Sequence, residues 1–310
     1  MKIIFFGSSE FAVPVLEALK ASEEVSLIVT QPDRKKGRTL KLSPTPVKEA
    51  ALRLGIKTFQ PDSVNTRDSI EYLRKFNADM FIVVSFGQIL SKEVLALPEL
   101  YSLNVHASLL PKYRGAAPIN QAIASGEKET GVTIIKMDER MDEGEIALKE
   151  IVAIDKRDNA ITLSAKLSKK GALLLLKVID SIKIKKITFL RQDDKLATYA
   201  PKLKKEDGLI DWSLSADEIY NRIRAFLPWP GCFTHWNKSI LKIWKLRPVK
   251  TADPGSKPGA VLEVNKDNII VSAGKGAVAI EELQLQGKRR MNVEEFIAGH
   301  KDMLPGISFC

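Results

Sequence analysis

Asn104 and His106 are the residues of this 310-residue chain whose types and spacing first point to chemistry. They stand two apart in the run Tyr101-Ser102-Leu103-Asn104-Val105-His106, where apolar and polar residues alternate. On a β-strand, residues two apart share a face. Asn104 and His106 therefore project one way, and Leu103 and Val105 the other. An amide that can donate a hydrogen bond then lies beside a ring that can move a proton, where a buried strand would carry Val or Ile. The bland alternative is a satisfied structural histidine. The sequence that follows favours a site, because the strand opens onto a loop and then onto Arg114-Gly115-Ala116-Ala117-Pro118. Two small residues and a proline at a first helical position let the next helix start tightly.

Two other stretches carry groups of this kind. Asp138-Glu139-Arg140-Met141-Asp142-Glu143-Gly144-Glu145 places five carboxylates in eight residues, ahead of an apolar strand. Such density invites a metal loop, but the spacing matches neither an EF-hand nor a mixed His/carboxylate site. A carboxylate that returns to tune His106 is the alternative. Ser85-Phe86-Gly87-Gln88 follows the apolar run Met80–Val84, again a strand running into a glycine-containing turn. In open α/β sheets, ligands bind beyond the carboxyl ends of strands. Residues 85–90 and 104–111 are expected to form two walls of one crevice.

The elements that must position these residues read as a doubly wound α/β domain. Lys2–Phe6 and Val25–Thr30 are short apolar strands, and between them Phe11, Val13, Leu16 and Leu19 recur at helical spacing behind Ser8 or Ser9 as cap. Gly7 stands without the GxGxxG pattern of a dinucleotide fold, which argues against a dehydrogenase. Met80–Val84 is apolar throughout, as in a parallel strand buried on both faces. Helices are expected at Val47–Leu54, Ser63–Phe76, Pro118–Ser125 and Thr162–Ile184, and strands at Gly131–Met137 and Ile146–Ile154. Residues 31–48 hold three prolines, six basic residues and one acid, without periodicity. A loop this long inside a compact domain is usually functional or disordered. This one suits a phosphate-contacting arm.

Residues 191–208 are polar, end in glycine and read as a linker. Beyond them a helix at Ala216–Phe226 and the rigid turn Leu227-Pro228-Trp229-Pro230-Gly231 precede short strands at Leu241–Leu246, Ala260–Val264, Asn268–Val271 and Val278–Leu285. A small closed β-barrel fits that pattern. It carries Arg222, Arg224, Trp229, Trp236, Lys238, Lys242, Trp244, Lys245 and Arg247 together. The expected organisation is therefore a catalytic domain over 1–190, a linker over 191–208 and a second domain over 209–310.

Composition narrows the function. No apolar run approaches the ~20 residues that span a membrane. The sequence opens directly on the strand MKIIFFG, so no leader is expected. Two cysteines far apart, Cys232 and Cys310, exclude a disulfide scaffold and a Cys-rich metal site, and suit a reducing cytoplasm. The net charge of +10 is not spread evenly. Lys+Arg against Asp+Glu is 20 to 20 over residues 1–150, 21 to 10 over 151–250, and 7 to 8 over 251–310. A basic region confined to one part of the chain is the footprint expected for a polyanionic partner, nucleic acid above all.

With these residues in view, the chain resembles the formyltransferases that use 10-formyltetrahydrofolate. The motif Asn104-Val105-His106-Ala107-Ser108-Leu109-Leu110-Pro111, followed by Tyr113–Ile119 (YRGAAPI), carries the likeness. It extends through IIFFGSSEFAVPVL, TQPDRKKGR, GVTIIKMDERMDEGE, IDWSLSADEIYNRIRAFLPWPG and KRRMNVEEFIAGH, nearly the whole chain. The match is closest to the branch that formylates the methionyl initiator tRNA. The resemblance implies a doubly wound formyl-transfer domain, mostly parallel, followed by an OB-like barrel. It implies Asn104, His106 and Asp142 as catalytic residues. Ser108, Leu109, Leu110 and Pro111 would contact the folate, with Phe86, Gln88 and Ile89 across the crevice. Arg34, Lys35, Lys36, Arg38 and Lys41 would contact tRNA, with Arg38 at the family's important arginine. Asn104 and His106 would each donate a hydrogen bond to the developing oxyanion, and Asp142 would orient His106. No metal is expected, because the folate carries the activated carbon. The protein is expected to act as a cytoplasmic monomer. Three rivals remain at this point. One is transfer to a small nucleotide or sugar amine, which needs neither the basic region nor the 34–48 loop. Another is hydrolysis of the formyl-folate. The third is a nucleic-acid-binding protein with a degenerate α/β domain.

Overall fold

The structure is a computed structural model and describes residues 1–36, 41–250 and 256–309. The chain divides into two compact units. The first comprises Met1–Pro118, Glu129–Ala153 and Leu163–Pro201, and the second Ile119–Lys128, Ile154–Thr162 and Lys202–Cys310.

The strands of the first unit are β1 (Lys2–Gly7), β2 (Glu24–Val29), β3 (Arg34–Lys36), β4 (Lys41–Ser43), β5 (Thr58–Phe59), β6 (Met80–Val84), β7 (Tyr101–His106), β8 (Arg114–Gly115), β9 (Glu129–Lys136), β10 (Ile146–Ala153) and β11 (Tyr199–Ala200). Seven of them form one sheet in the order β10-β9-β7-β6-β1-β2-β5. β5, β2, β1, β6 and β7 run parallel, and β9 and β10 close that side antiparallel. The chain builds outward from β1 to β5, then restarts on the other side with β6. The reversal lies between β1 and β6, where a doubly wound sheet opens its crevice. All five residues of β6 are buried, as the unbroken apolar run requires.

The helices α1 (Val13–Ser22), α2 (Pro46–Arg53), α3 (Arg67–Arg74) and α4 (Lys92–Leu95) belong to this unit, and α5 (Pro118–Ala124) and α6 (Ala160–Lys183) follow. Thr45, Thr66 and Ser91 cap α2, α3 and α4 through side-chain oxygens that accept from the first-turn amides. Ser8 and Ser9 do not cap as expected. Ser9 precedes a short 3-10 turn and makes no cap bond. The Ser8 hydroxyl instead donates to Phe86 O at 3.0 Å and accepts from Gln31 N at 3.1 Å. It joins the ends of β1, β2 and β6 at the reversal point.

Residues 31–48 depart from the irregular loop expected. β3 and β4 pair antiparallel, with Arg34 opposite Ser43, Lys35 opposite Leu42 and Lys36 opposite Lys41. Strand pairing had no apolar alternation to announce it, because both arms are basic and short. Asp33 anchors the base of the hairpin by accepting from Lys48 Nζ at 2.7 Å and Gln60 Nε2 at 2.7 Å. Those two hydrogen bonds hold its carboxyl below the usual carboxylate range.

The second unit carries α7 (Ala216–Ala225), β12 (Cys232–Trp236), β13 (Ser239–Val249), β14 (Val261–Val264), β15 (Ile269–Ser272), β16 (Ala277–Leu285), β17 (Met291–Asn292) and α8 (Val293–Gly299). The sheet order is β12-β13-β16-β15-β14, with β17 on β16, all antiparallel. This is the small antiparallel domain expected, and among the described residues its strand ladder runs from β12 to β14. β12 is a strand that the sequence reading missed, behind the proline-rich turn. Trp212 and Trp236 are buried in the core of this unit, while Trp229 is exposed. No helix among the described residues is long and apolar enough to cross a membrane.

The core beneath the crevice of the first unit is aromatic. Phe6 is fully buried and packs on Phe81 at 5.0 Å between ring centroids and edge-on to Phe86 at 5.5 Å. Phe6→Ala should lower unfolding free energy by about 3–5 kcal/mol in urea titration, through lost burial and the cavity left behind.

Candidate active site

β7 is an interior strand. Asn104 lies between Val83 of β6 and Ile135 of β9, and His106 lies opposite Thr133. The fold therefore delivers Asn104 and His106 to the carboxyl end of a strand that cannot move without its neighbours. Here the sheet borders a cavity of about 390 Å³, lined by Asn104, His106, Asp142, Phe86, Gln88 and Ile89 among others. Its size falls within the range of small-ligand pockets.

Asp142 joins the group from the turn between β9 and β10. Its Oδ1 accepts from Asn104 Nδ2 at 3.2 Å and lies 3.5 Å from His106 Nδ1, while its Oδ2 accepts from Gly115 N at 2.8 Å. Three segments distant in sequence thus meet on one carboxylate. Asp142 itself has φ of +55°, a left-handed conformation that costs an L-residue on the order of 1 kcal/mol and that aspartate tolerates better than most. Gly144 closes the same turn. A Cβ there would stand 1.9 Å from Lys136 O, so only glycine lets the turn close on β9.

The hydrogen-bonding of His106 bears on where its hydrogens stand. Nε2 lies 3.0 Å from the carbonyl oxygen of Tyr113, which can only accept. Nε2 must therefore carry a hydrogen, and in the neutral ring the lone pair is left at Nδ1, beside Asp142. Nδ1 donates only when the ring carries both hydrogens.

The residues expected to contact the folate stand in two groups. Phe86, Gln88 and Ile89 line the cavity. Gln88 is held in place by accepting from Val64 N at 3.0 Å and donating to Asp62 O at 3.2 Å. Ser108, Leu109, Leu110 and Pro111 are not among the lining residues, and the second wall of the crevice ends at Ala107. Ser108 is fully buried and donates to Lys112 O at 2.6 Å. Leu110 is fully buried with Ile135 and Ile146, and Thr133 Oγ1 bridges Leu110 N and Ser108 O. Pro111 O accepts from Thr198 N. Leu109 is partly buried, and its side chain covers Gly131. These contacts tie the 108–111 loop to β9 and to the segment around Thr198.

The basic residues are placed more simply. Arg34 and Lys35 are exposed on the hairpin. Lys36 and Lys41 are paired through the backbone at its far end. Arg38 lies outside the described residues. In the second unit, Trp244 lies beneath Arg290 at 5.1 Å and Lys242 at 5.9 Å. Lys245 and Arg247 both pair with Glu281, at 2.8 and 3.1 Å, so neither is an unmatched charge.

The residues that composition did not reveal are Tyr113, Arg114, Gly115 and Gln192. Arg114 is 2% exposed. Burial by itself lowers the pKa of its guanidinium. The hydrogen bond to Asp194 and the charges of Glu143 and Asp194 outweigh that and raise it above the usual arginine value, so the group stays charged. Its Nη2 lies 2.7 Å from Asp194 Oδ1, and Nε and Nη2 donate to Gln192 Oε1 at 3.2 and 2.9 Å. Gln192 Nε2 then donates to Asp142 O and Gly144 O, both at 2.8 Å. The polar segment read as linker is thus part of the first unit as far as Pro201, and it also pairs through β11 with β8.

With this geometry in hand, comparison with known proteins is decisive. A family model described as formyl transferase matches residues 1–179, and a second, formyl transferase C-terminal domain, matches residues 202–301. The chain belongs to the formyltransferase family. It is 46% identical over 302 residues to the methionyl-tRNA formyltransferase of Caldanaerobacter subterraneus subsp. tengcongensis, covering 97% of each chain. It is 44% identical to that of Geobacter metallireducens, covering 99% of this chain and 98% of the other. Among solved structures, HypX from Aquifex aeolicus in complex with tetrahydrofolic acid has a TM-score of 0.66 at 15% identity, over 99% of this chain and 48% of that one. The methionyl-tRNA formyltransferase from Clostridium thermocellum has a TM-score of 0.55 at 17% identity, over 83% and 95%. These two structural likenesses speak for the formyltransferase fold.

Gly115 offers a direct test of how the carboxylate is held. Its φ is +119°, and a Cβ would stand 2.7 Å from Ala200 O. Gly115→Ala must shift β8 against β11 and displace the amide that donates to Asp142. Turnover should fall by about 10²-fold, the scale of a misplacement near 1 Å. Steady-state kinetics alongside a thermal melt will check this.

Proposed function

We infer that this chain transfers the formyl group of 10-formyltetrahydrofolate to the α-amine of methionine esterified to initiator tRNA. The observation that carries this reading is the near-full-length correspondence to relatives named methionyl-tRNA formyltransferase. It is supported by an amide, an imidazole and a carboxylate joined on one cavity wall. The enzyme would work in the cytoplasm on soluble substrates.

The cavity suits the donor. Phe86 and Ile89 give it apolar surface for a flat heterocycle, while Gln88 and the backbone around Gly87 border it with polar groups. These residues would hold the folate, which supplies an activated one-carbon unit at the formyl oxidation level. The chain's own residues perform the rest. Asn104 Nδ2 carries two hydrogens and gives one to Asp142, leaving the other to stabilise negative charge developing on the formyl oxygen. The acceptor amine must be neutral to attack and must lose a further proton after bonding to carbon. His106 Nδ1, the basic nitrogen of a ring fixed by Tyr113 O, takes a proton from the amine and then donates toward the same oxygen. Asp142 neutralises the imidazolium so formed and orients it, and it is placed to pass the second proton on, directly or through water. Proton flow from the amine ends on the departing folate nitrogen.

Acceptor choice rests elsewhere in the chain. Arg34, Lys35, Lys36 and Lys41 lie on paired strands of a basic segment suited to phosphates, Arg38 would add a further charge to that segment, and the basic excess over 151–250 would extend the footprint. Binding of this kind depends steeply on salt.

Asn104→Ala should lower kcat by about 10²–10³-fold, the usual loss of one oxyanion donor. His106→Ala and Asp142→Ala should lower it comparably while tRNA binding in a filter assay persists. Near-normal turnover in His106→Ala would overturn its assignment. Arg38→Ala should weaken use of charged initiator tRNA and leave folate binding intact, and an equal loss of both would overturn a tRNA-contacting role for Arg38. Comparing charged initiator tRNA with free methionine and with small sugar or nucleotide amines separates this reading from its nearest rival.

A further inference from the structure

We propose that Gln192 is a positioning residue for Asp142, tying the backbone of the 142–144 turn to the buried charge of Arg114 and so fixing where the Asp142 carboxylate stands. This rests on the reading of Asp142 as part of the formyl-transfer site.

Every polar atom of the Gln192 side chain is committed inside the first unit. The two hydrogens of Nε2 go to Asp142 O and Gly144 O, and Oε1 accepts twice from Arg114. Only an amide of this length fills all four roles. Glutamate lacks the donors, lysine lacks the acceptor, and asparagine is one carbon short. The turn it holds has little freedom left. Asp142 is left-handed, and Gly144 is pressed against Lys136 O. Holding the carbonyls on either side of Glu143 sets the direction in which the Asp142 side chain leaves the backbone. From the other side, Gly115 N and Asn104 Nδ2 hold the carboxylate itself. The amide carries a polarisation imposed by Arg114. A cation donating to Oε1 makes the Nε2 hydrogens better donors, and the interior strengthens both ends of such a chain. The segment containing Gln192 is docked independently, because Thr198 O accepts from Arg114 N at 2.8 Å and Thr198 Oγ1 accepts from Tyr113 N at 2.8 Å. Loss of the Gln192 amide therefore frees the turn without releasing the segment.

A role in general stability makes a different prediction from a role in positioning, and two variants of the full chain separate them. Gln192→Ala removes all four bonds. Gln192→Glu keeps the bonds from Arg114 and the volume, and turns an acceptor against the two carbonyls. Both should lower kcat by about 10²-fold, with KM for formyl donor and for charged tRNA changed less than about twofold. Gln192→Glu should melt within a few degrees of the parent, so a fold defect in Gln192→Ala leaves the test standing. In a double-mutant cycle, Gln192→Glu placed on Asp142→Ala should cost nothing further, because the group it positions is gone. Wild-type kcat in Gln192→Glu overturns the proposal, and so does a full further loss on the Asp142→Ala background. Full turnover in Asp142→Ala alone overturns the active-site reading beneath it. Loss in Asp142→Ala with none in Gln192→Glu removes only the positioning role.

Discussion

A guanidinium cannot shed its proton inside a protein, so a buried arginine forces its surroundings to supply partners. Arg114 is that constraint here. Its neighbours Asp194, Gln192 and Glu143 come from two separate parts of the chain, and Arg114 itself stands directly before Gly115, whose amide grips Asp142. The charge therefore recruits the turn between β9 and β10 and the segment leading to β11 to one place. Asp194 is largely exposed and only the arginine is deeply buried, so the need for partners lies on the arginine side. The neutral Gln192 amide, which reaches both Arg114 and the 142–144 turn, connects that need to the left-handed Asp142.

The same network explains why the site can be rigid at a cavity edge. Asn104 and His106 inherit their positions from an interior strand with hydrogen-bonded neighbours on both sides. Asp142 inherits none from a regular element. It sits in a turn between antiparallel strands and is fixed by bonds to Asn104, Gly115 and, through its carbonyl, Gln192. Strand order supplies two of the three chemical groups, and polar satisfaction supplies the third. Which amine arrives is a question that these three groups do not settle among themselves.

How much of this the sequence disclosed follows from how local each signal was. The alternation around Asn104 and His106 put both side chains on one strand face, and the apolar run at Met80–Val84 gave a strand with those bounds, because periodicity is a short-range property. Asp142 was visible as one of five carboxylates, and its place came from family likeness, since nothing in the turn's composition distinguishes it from Asp138 or Glu145. Gln192 and Arg114 were invisible as a pair. They are 78 residues apart, and a polar stretch with charges reads as a solvated connection until its partners are known. The burial of Ser108 and Leu110 was equally hidden, because their partner Thr133 lies on β9, more than twenty residues on. The pairing of β3 with β4 went unseen because it is carried by backbone bonds between two very short strands, which leave no apolar pattern.

The strap from Gln192 to Ala200 also bears on where this protein can be divided. Composition places a boundary near residue 190, at the end of the long helix and the start of polar sequence. A chain cut there would retain Arg114, Asp142 and the whole strand order, yet Gln192, Asp194 and the β11 partner of β8 would be missing. Arg114 would keep its charge inside a protein that had lost two of the groups answering it. A piece cut to keep this site with its supports must therefore extend at least to Pro201, where the first unit ends, and the polar stretch after residue 190 carries bonds that the rest of that unit uses.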